Sequence, residues 1–184
     1  WPFSVNIAGF TKFNEEVQKD ITDTFDRVYN AFVAKGIPVI VGEYGLLGFD
    51  QHTGVIEQGE KLKFFEFVGQ YLRQKKMTTM LWDNGQHFSR TNYTWSDPDL
   101  YNTMKASWKG RSSTAESDLV HLKKGAAVQD QTIRLNLNGN TFKSLVNGNK
   151  KLSKGKDYTI KDNVLTLKSS LLTKLTASGN LGVN

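Results

Sequence analysis

The apolar residues of this 184-residue chain keep a period of three to four up to about residue 108, and a period of two beyond residue 130. Val17, Ile21, Phe25, Val28 and Phe32 are spaced four, four, three and four apart, one stripe that predicts a helix over 15–35. Asn14 stands where an N-cap belongs, Glu15 and Glu16 fill the first turn, and Gly36 with Pro38 ends the run. IPVIVGE (37–43) then predicts a buried strand. The unit repeats. Residues 58–76 predict a second helix with Leu62, Phe65, Val68 and Leu72 inward, and MTTMLWD (77–83) a second strand. Asp97-Pro98 opens a third helix as N-cap and first helical residue, with Leu100, Met104 and Trp108 on one face.

Helix, strand, helix, strand, helix implies parallel strands joined by right-handed crossovers. Parallel strands need neighbours and cover on both faces, so this half reads as a piece of a larger α/β sheet or barrel. Alone it would expose apolar surface, and association is expected. GRSSTAES follows, with residues 111–117 as a polar linker. Beyond it Ile133, Leu135 and Leu137 alternate with Arg134, Asn136 and Asn138. Asn138-Gly139 and Asn147-Gly148 are turn signals, and DYTI and NVLTLK read as strands. This pattern predicts an immunoglobulin-like, all-β sandwich over 118–184, somewhat short of a complete one.

The totals remove several function classes. With no cysteine there is no disulfide frame and no thiolate metal site, and His52, His87 and His121 lack metal-ligand spacing. No metal or other cofactor is expected. No apolar run approaches the roughly 20 residues of a membrane helix, so no membrane partner is expected. The net charge of +6 is spread widely; Lys123-Lys124, Lys150-Lys151 and Lys154/Lys156 lack interleaved aromatics and read as solvated charges, not a nucleic-acid footprint. The chain opens on Trp1, without methionine or signal peptide, and closes on GNLGVN, which reads as the start of a strand; both ends read as cut from something longer.

Both predicted parallel strands end in polar residues at the same end, Glu43-Tyr44 and Trp82-Asp83-Asn84. In a (β/α) barrel the carboxyl ends of the strands form the active face. A strand-end glutamate paired with an arginine or capping a helix would explain Glu43 equally well, and Trp82 fits a core position too. A flat indole beside a carboxylate, however, matches what a sugar ring needs: a plate for its C–H face and a group to attack or protonate its glycosidic bond.

WPFSVN, IPVIVGEYGLLGFD and MLWDNGQHFSR resemble, in order and spacing, the C-terminal half of bacterial endoglucanases of glycoside hydrolase family 5, over residues 1–110. SDLVHLKKG, LNLNGNTFKSLVNG and KGKDYTIKDNVLTL resemble the immunoglobulin-like X-type module often joined to such enzymes. The resemblance implies a (β/α)8 TIM barrel whose seventh and eighth strands lie in this chain, and a secreted, extracellular, monomeric parent acting on cellulose or mixed-linkage β-glucan. Residue by residue, it makes Glu43 the nucleophile and Trp82 the stacking platform. Asn84 and Asp83 would bond sugar hydroxyls, Trp1 would stack at the cleft edge, and Tyr44, His87 and Arg90 would support them. Trp95 reads as packing.

One departure bears on activity. Retaining glycosidases use two carboxyl groups about 5–5.5 Å apart, and the family places its acid/base in an Asn-Glu-Pro motif. No such motif occurs here; the sole Asn-Glu is Asn14-Glu15, followed by Glu16. The chain needs the rest of the barrel as its partner and is expected to be inactive alone. Two other readings remain open: a non-catalytic carbohydrate-binding or interaction module, and a retaining barrel glycosidase of another family or of another substrate (xyloglucan, xylan or mannan).

Overall fold

The computed structural model describes residues 13–46, 58–83, 85–117 and 119–176. Trp1, Asn84, His52 and the terminal GNLGVN run lie outside them. The chain divides into two compact units, 1–111 and 112–184.

In the first unit α1 (Glu15–Ala31) starts at Asn14, whose side chain accepts from the Val17 N–H. Strand β1 (Ile40–Tyr44), helix α2 (Gln58–Gln74) and strand β2 (Thr78–Leu81) follow. A short hairpin, β3 (Phe88–Ser89) with β4 (Thr94–Trp95), precedes α3 (Pro98–Ser107). The Asp97 carboxylate caps α3 through the Leu100 N–H and also takes Lys61 and Gln58 of α2, joining the starts of both helices. Strands β1 and β2 are parallel, as the crossover pattern requires. Val17, Ile21, Phe25, Phe65, Leu72 and Leu100 form the centre of one buried cluster between the helices and this strand pair.

Three expectations need correction here. Phe32 is 46% exposed, because α1 ends at Ala31 and Phe32, at φ −125°, has already left the helical stripe. Trp108 is 60% exposed although its backbone is still helical (φ −68°, ψ −21°); it follows the last residue of α3 and lies against the Arg73 guanidinium. The β1 strand is not buried throughout. Ile40 is 63% exposed, and among the described residues β1 pairs only with β2.

The second unit is an antiparallel sheet in the order β5 (Thr114–Ala115), β6 (Gln131–Asn136), β10 (Val164–Leu167), β9 (Tyr158–Lys161). A hairpin, β7 (Val146–Asn147) with β8 (Lys150–Lys151), contributes the flanking Leu145 and Leu152 to the core around Tyr158 and Leu165. Left-handed Asn138-Gly139 and Asp162-Asn163 pairs form the tight turns, the latter joining β9 to β10. Two details differ from the sequence reading. The unit is not all-β: α4 (Ser169–Thr176) buries Leu171 and Leu172. The expected linker 111–117 is ordered into the units it joins. Arg111 pairs with buried Glu66 of α2 at 2.9 Å, while Thr114 and Ala115 pair with Asn136 and Leu135 as the edge strand of the sheet.

Candidate active site

The site forms where β1 and β2 end. Their register runs Ile40 to Thr78 and Val41 to Thr79, then slips, so that Tyr44 faces Leu81. Three steps on β1 match two on β2, and the extra residue falls in the Gly42-Glu43 stretch. Glu43 takes φ +58°, a left-handed conformation uncommon for a side chain of its size. It is exposed at the carboxyl end of its strand. Tyr44, next in the chain, is buried, and its phenol bonds Thr79 of the neighbouring strand. Burial raises the Tyr44 pKa and the Thr79 bond only partly offsets this, so the phenol stays protonated.

Trp82 is held beside this segment. Its N–H donates to the Tyr44 carbonyl at 2.9 Å, extending the parallel ladder one step past β2. A Cβ at Gly45 would lie 3.3 Å from the Trp82 carbonyl, so the chain after Glu43 passes against the tryptophan backbone and a side chain there would force it away. The indole is 41% exposed and therefore open to a ligand.

Asp83 does not have the free carboxylate expected of a sugar-hydroxyl ligand. Its Oδ1 accepts from the N–H groups of Gly85 (3.2 Å) and His87 (2.9 Å), and its Oδ2 from Phe88 (3.1 Å). Burial would raise its pKa, but the three backbone donors outweigh that and hold it below the ordinary value. Arg90 closes the same turn by donating to the Asp83 carbonyl at 2.8 Å. Asp83 thus organises the turn that follows Trp82. His87 is 3% exposed and meets Phe65 edge-on at 5.9 Å. Burial and the Lys61 charge lower its pKa against the opposing pull of Asp83 and Asp97, which leaves it neutral at pH 7. The three supporting residues expected from sequence, Tyr44, His87 and Arg90, all touch the segments bearing Glu43 or Trp82. What sequence reading missed is the bulge at Glu43 and the close approach at Gly45; the small residue two places beyond the carboxylate was the available signal. Trp95 packs, as expected, against Phe88 and Tyr101.

Among the described residues, no group of three or more His, Cys, Asp or Glu is placed to hold a metal ion. The second unit has two aromatic rings, Phe142 and Tyr158, and they meet each other in its core at 5.9 Å.

Residues 2–88 match the family model for cellulase (glycosyl hydrolase family 5), and residues 114–184 that for carbohydrate binding domain X2. The chain is a family 5 segment followed by an X2 module. Endoglucanase B of Paenibacillus lautus is 68% identical over 184 residues, which is 100% of this chain and 32% of that protein. The full-length tri-modular endo-β-1,4-glucanase B of Bacillus halodurans superimposes with a TM-score of 0.88 at 53% identity, covering 99% of this chain and 34% of that one. A tri-modular family 5 endo-β-1,4-glucanase from Bacillus licheniformis, solved with cellotetraose, gives a TM-score of 0.79 at 29% identity over 95% of this chain and 34% of its own. The family 5 segment and its module therefore span about a third of the length of these relatives. The two parallel strands and their helices are the C-terminal part of a (β/α)8 barrel.

Proposed function

We propose that this chain is part of a secreted, monomeric, retaining endo-β-1,4-glucanase that hydrolyses cellulose or mixed-linkage β-glucan, with Glu43 as its nucleophile. One observation carries the reading: adjacent parallel strands bring exposed Glu43 and the open face of Trp82 to the same end of the sheet. In a barrel that end is the catalytic face.

The mechanism follows from these two groups. A glucose ring stacks its C–H face on Trp82, which fixes the sugar plane. The Glu43 carboxylate attacks the anomeric carbon while a second carboxyl group protonates the departing glycosidic oxygen. The resulting glycosyl ester on Glu43 is then hydrolysed by a water that the second group, now a carboxylate, deprotonates. The partner must lie about 5–5.5 Å from Glu43, and with no Asn-Glu-Pro in these 184 residues it is assigned to the rest of the barrel. Asn84 and Trp1 are assigned sugar contacts on the resemblance alone. Asp83 is assigned to holding the turn.

The test uses a fluorinated cellobioside that forms the ester quickly and loses it slowly. The full-length protein should carry one added glycosyl mass on the peptide containing Glu43, and Glu43→Gln should carry none. Reducing-sugar release from barley β-glucan should vanish in that variant and be absent from these 184 residues alone. A label on another residue, or activity from the isolated chain, would overturn the assignment. Faster turnover of xyloglucan, xylan or mannan would keep the nucleophile and change the substrate.

A further inference from the structure

The hairpin of β3 and β4 lies between the carboxyl end of β2 and the start of α3. It follows the Asp83 turn and stops just before Asp97, whose carboxylate joins the starts of α2 and α3. A crossover helix starts at the end where its preceding strand finished, so the hairpin belongs to the same end of the sheet as Glu43 and Trp82. It is braced on several sides. Phe88 pairs with Trp95 and Ser89 with Thr94. The His87 carbonyl accepts from Ser96 N–H at 2.8 Å, and the Trp95 ring stacks on Tyr101 of α3 at 5.0 Å. From the turn between the strands, Arg90 reaches back and donates to the Asp83 carbonyl at 2.8 Å, one residue beyond Trp82. The Thr94 hydroxyl donates to Asn92 Oδ1 at 2.6 Å, and Tyr93 N–H closes the turn on the Ser89 carbonyl at 2.9 Å.

Tyr93 stands in this turn and is 79% exposed, more than any other large hydrophobic side chain among the described residues. It takes φ +58°, a conformation that suits glycine or asparagine and costs a bulky residue roughly 1–2 kcal/mol. At that exposure the ring recovers little of the cost by packing. One exposed aromatic alone is ordinary. An exposed aromatic in a left-handed conformation on a braced turn is a different observation, since such strain gathers where ligands are held. We propose that Tyr93 is a further sugar-binding position, a stacking platform for a glucosyl unit of the substrate remote from the bond that is cleaved. A tyrosine offers an apolar face to the C–H side of a sugar and a polar tip to its hydroxyls. The occupant is the same β-glucan chain that lies on Trp82, because the Arg90 bond carries the turn back to the residue beside that platform. The proposal rests on the roles given to Glu43 and Trp82 above. Remote binding of this kind helps only substrates long enough to reach it.

The experiment compares the full-length protein with its Tyr93→Asn and Tyr93→Phe variants on an aryl β-cellobioside, on cellohexaose and on barley β-glucan. Tyr93→Asn removes the ring and puts in a residue that accepts the left-handed conformation, so its urea midpoint should not fall below that of the wild type. It should lower kcat/KM about five- to tenfold on cellohexaose and β-glucan, the loss expected on truncating an aromatic contact of middling strength, and mainly by raising KM. On the cellobioside the change should stay below about twofold, because that substrate is too short to span both platforms. Tyr93→Phe, which keeps the ring face, should recover most of the loss on the long substrates. Equal factors on short and long substrates, or no loss on either, would overturn the platform and leave Glu43 and Trp82 as assigned. A wild type that turns over none of the three would overturn the glucanase reading, and the platform with it. Should Tyr93→Asn prove less stable, the ratio of long to short substrate still decides, because partial unfolding scales every rate alike.

Discussion

Replacing Glu43 by glycine should move stability and activity in opposite directions. Glu43 holds φ +58° at the end of a strand. For a residue with a Cβ the left-handed region costs roughly 1–2 kcal/mol, and glycine occupies it without that cost. Glycine also gives the unfolded chain more freedom, which takes back about 0.5–1 kcal/mol. The exposed side chain brings no apolar burial to lose. The balance is a gain of about 0–1.5 kcal/mol for Glu43→Gly. Glu43→Gln keeps the backbone demand and so serves as the reference: it should leave this term unchanged while removing the nucleophile. Both variants should lose at least about 10³-fold in kcat on β-glucan, in line with losses on deleting an enzymic nucleophile. The assay is urea denaturation of the full-length variants with turnover measured in parallel. A Glu43→Gly midpoint below that of Glu43→Gln would refute the reasoning, since it would mean that glycine finds no strain to relieve at this position.

Asp97→Ala should cost about 2 kcal/mol, roughly 1 from the lost cap of α3 and up to about 1 from the partly buried Lys61 pair, measured by denaturation at pH 7. The Asp97 carboxyl is pushed down to about 2 because the Lys61, Gln58 and Leu100 bonds outweigh the opposing effect of burial. Its contribution is therefore complete above pH 3.8, its unfolded value, and is lost as pH falls through about 2; a stability profile in acid should be shallower in the variant. Gly69→Ala should destabilise despite alanine's higher helix propensity, because the new Cβ would stand 2.9 Å from Ser107 Oγ, itself held by the Met104 carbonyl at 2.6 Å; adding Ser107→Ala should restore about 1 kcal/mol or more. Removing residues 112–184 from the full-length protein should leave the fraction bound to insoluble cellulose unchanged, since both aromatic rings of the X2 module are spent in its core. A clear loss of binding would contradict this.

The helices were the most legible part of the fold because their signals are local. Asn14, Asp97-Pro98 and the Val17-Ile21-Phe25 stripe each act within one or two turns, and each stands where its chemistry places it. An error arose at a helix end, where one residue decides whether a side chain still lies on the stripe; Phe32 fell just outside. Helix α4 was missed although Leu171, Leu172 and Leu175 have helical spacing, because the period of two that precedes it dominated the reading. At the site, the residue types were readable from GEYG and LWDNG, but the geometry was not. The bulge at Glu43 is a property of two strands in register, and the Asp83 turn closes over distances of two to five residues by backbone donors that every residue type carries.

The exposed strand residues carry a different lesson. Ile40 and Met80 sit on paired strands and are both more than half open to solvent, yet the first lies in a run of the kind that builds fully covered parallel sheets. A hydrophobic pattern records the environment a residue meets in the whole protein, and it keeps that record when only part of the neighbourhood is present. The relatives that superimpose on this chain are about three times as long. On the function proposed above, closing the sheet would cover these side chains and bring the second carboxyl group toward Glu43 in the same step. On this argument the apolar stripe and the unaccompanied carboxylate are one observation made twice: both β1 and the proposed nucleophile are complete only when the neighbouring strands are in place.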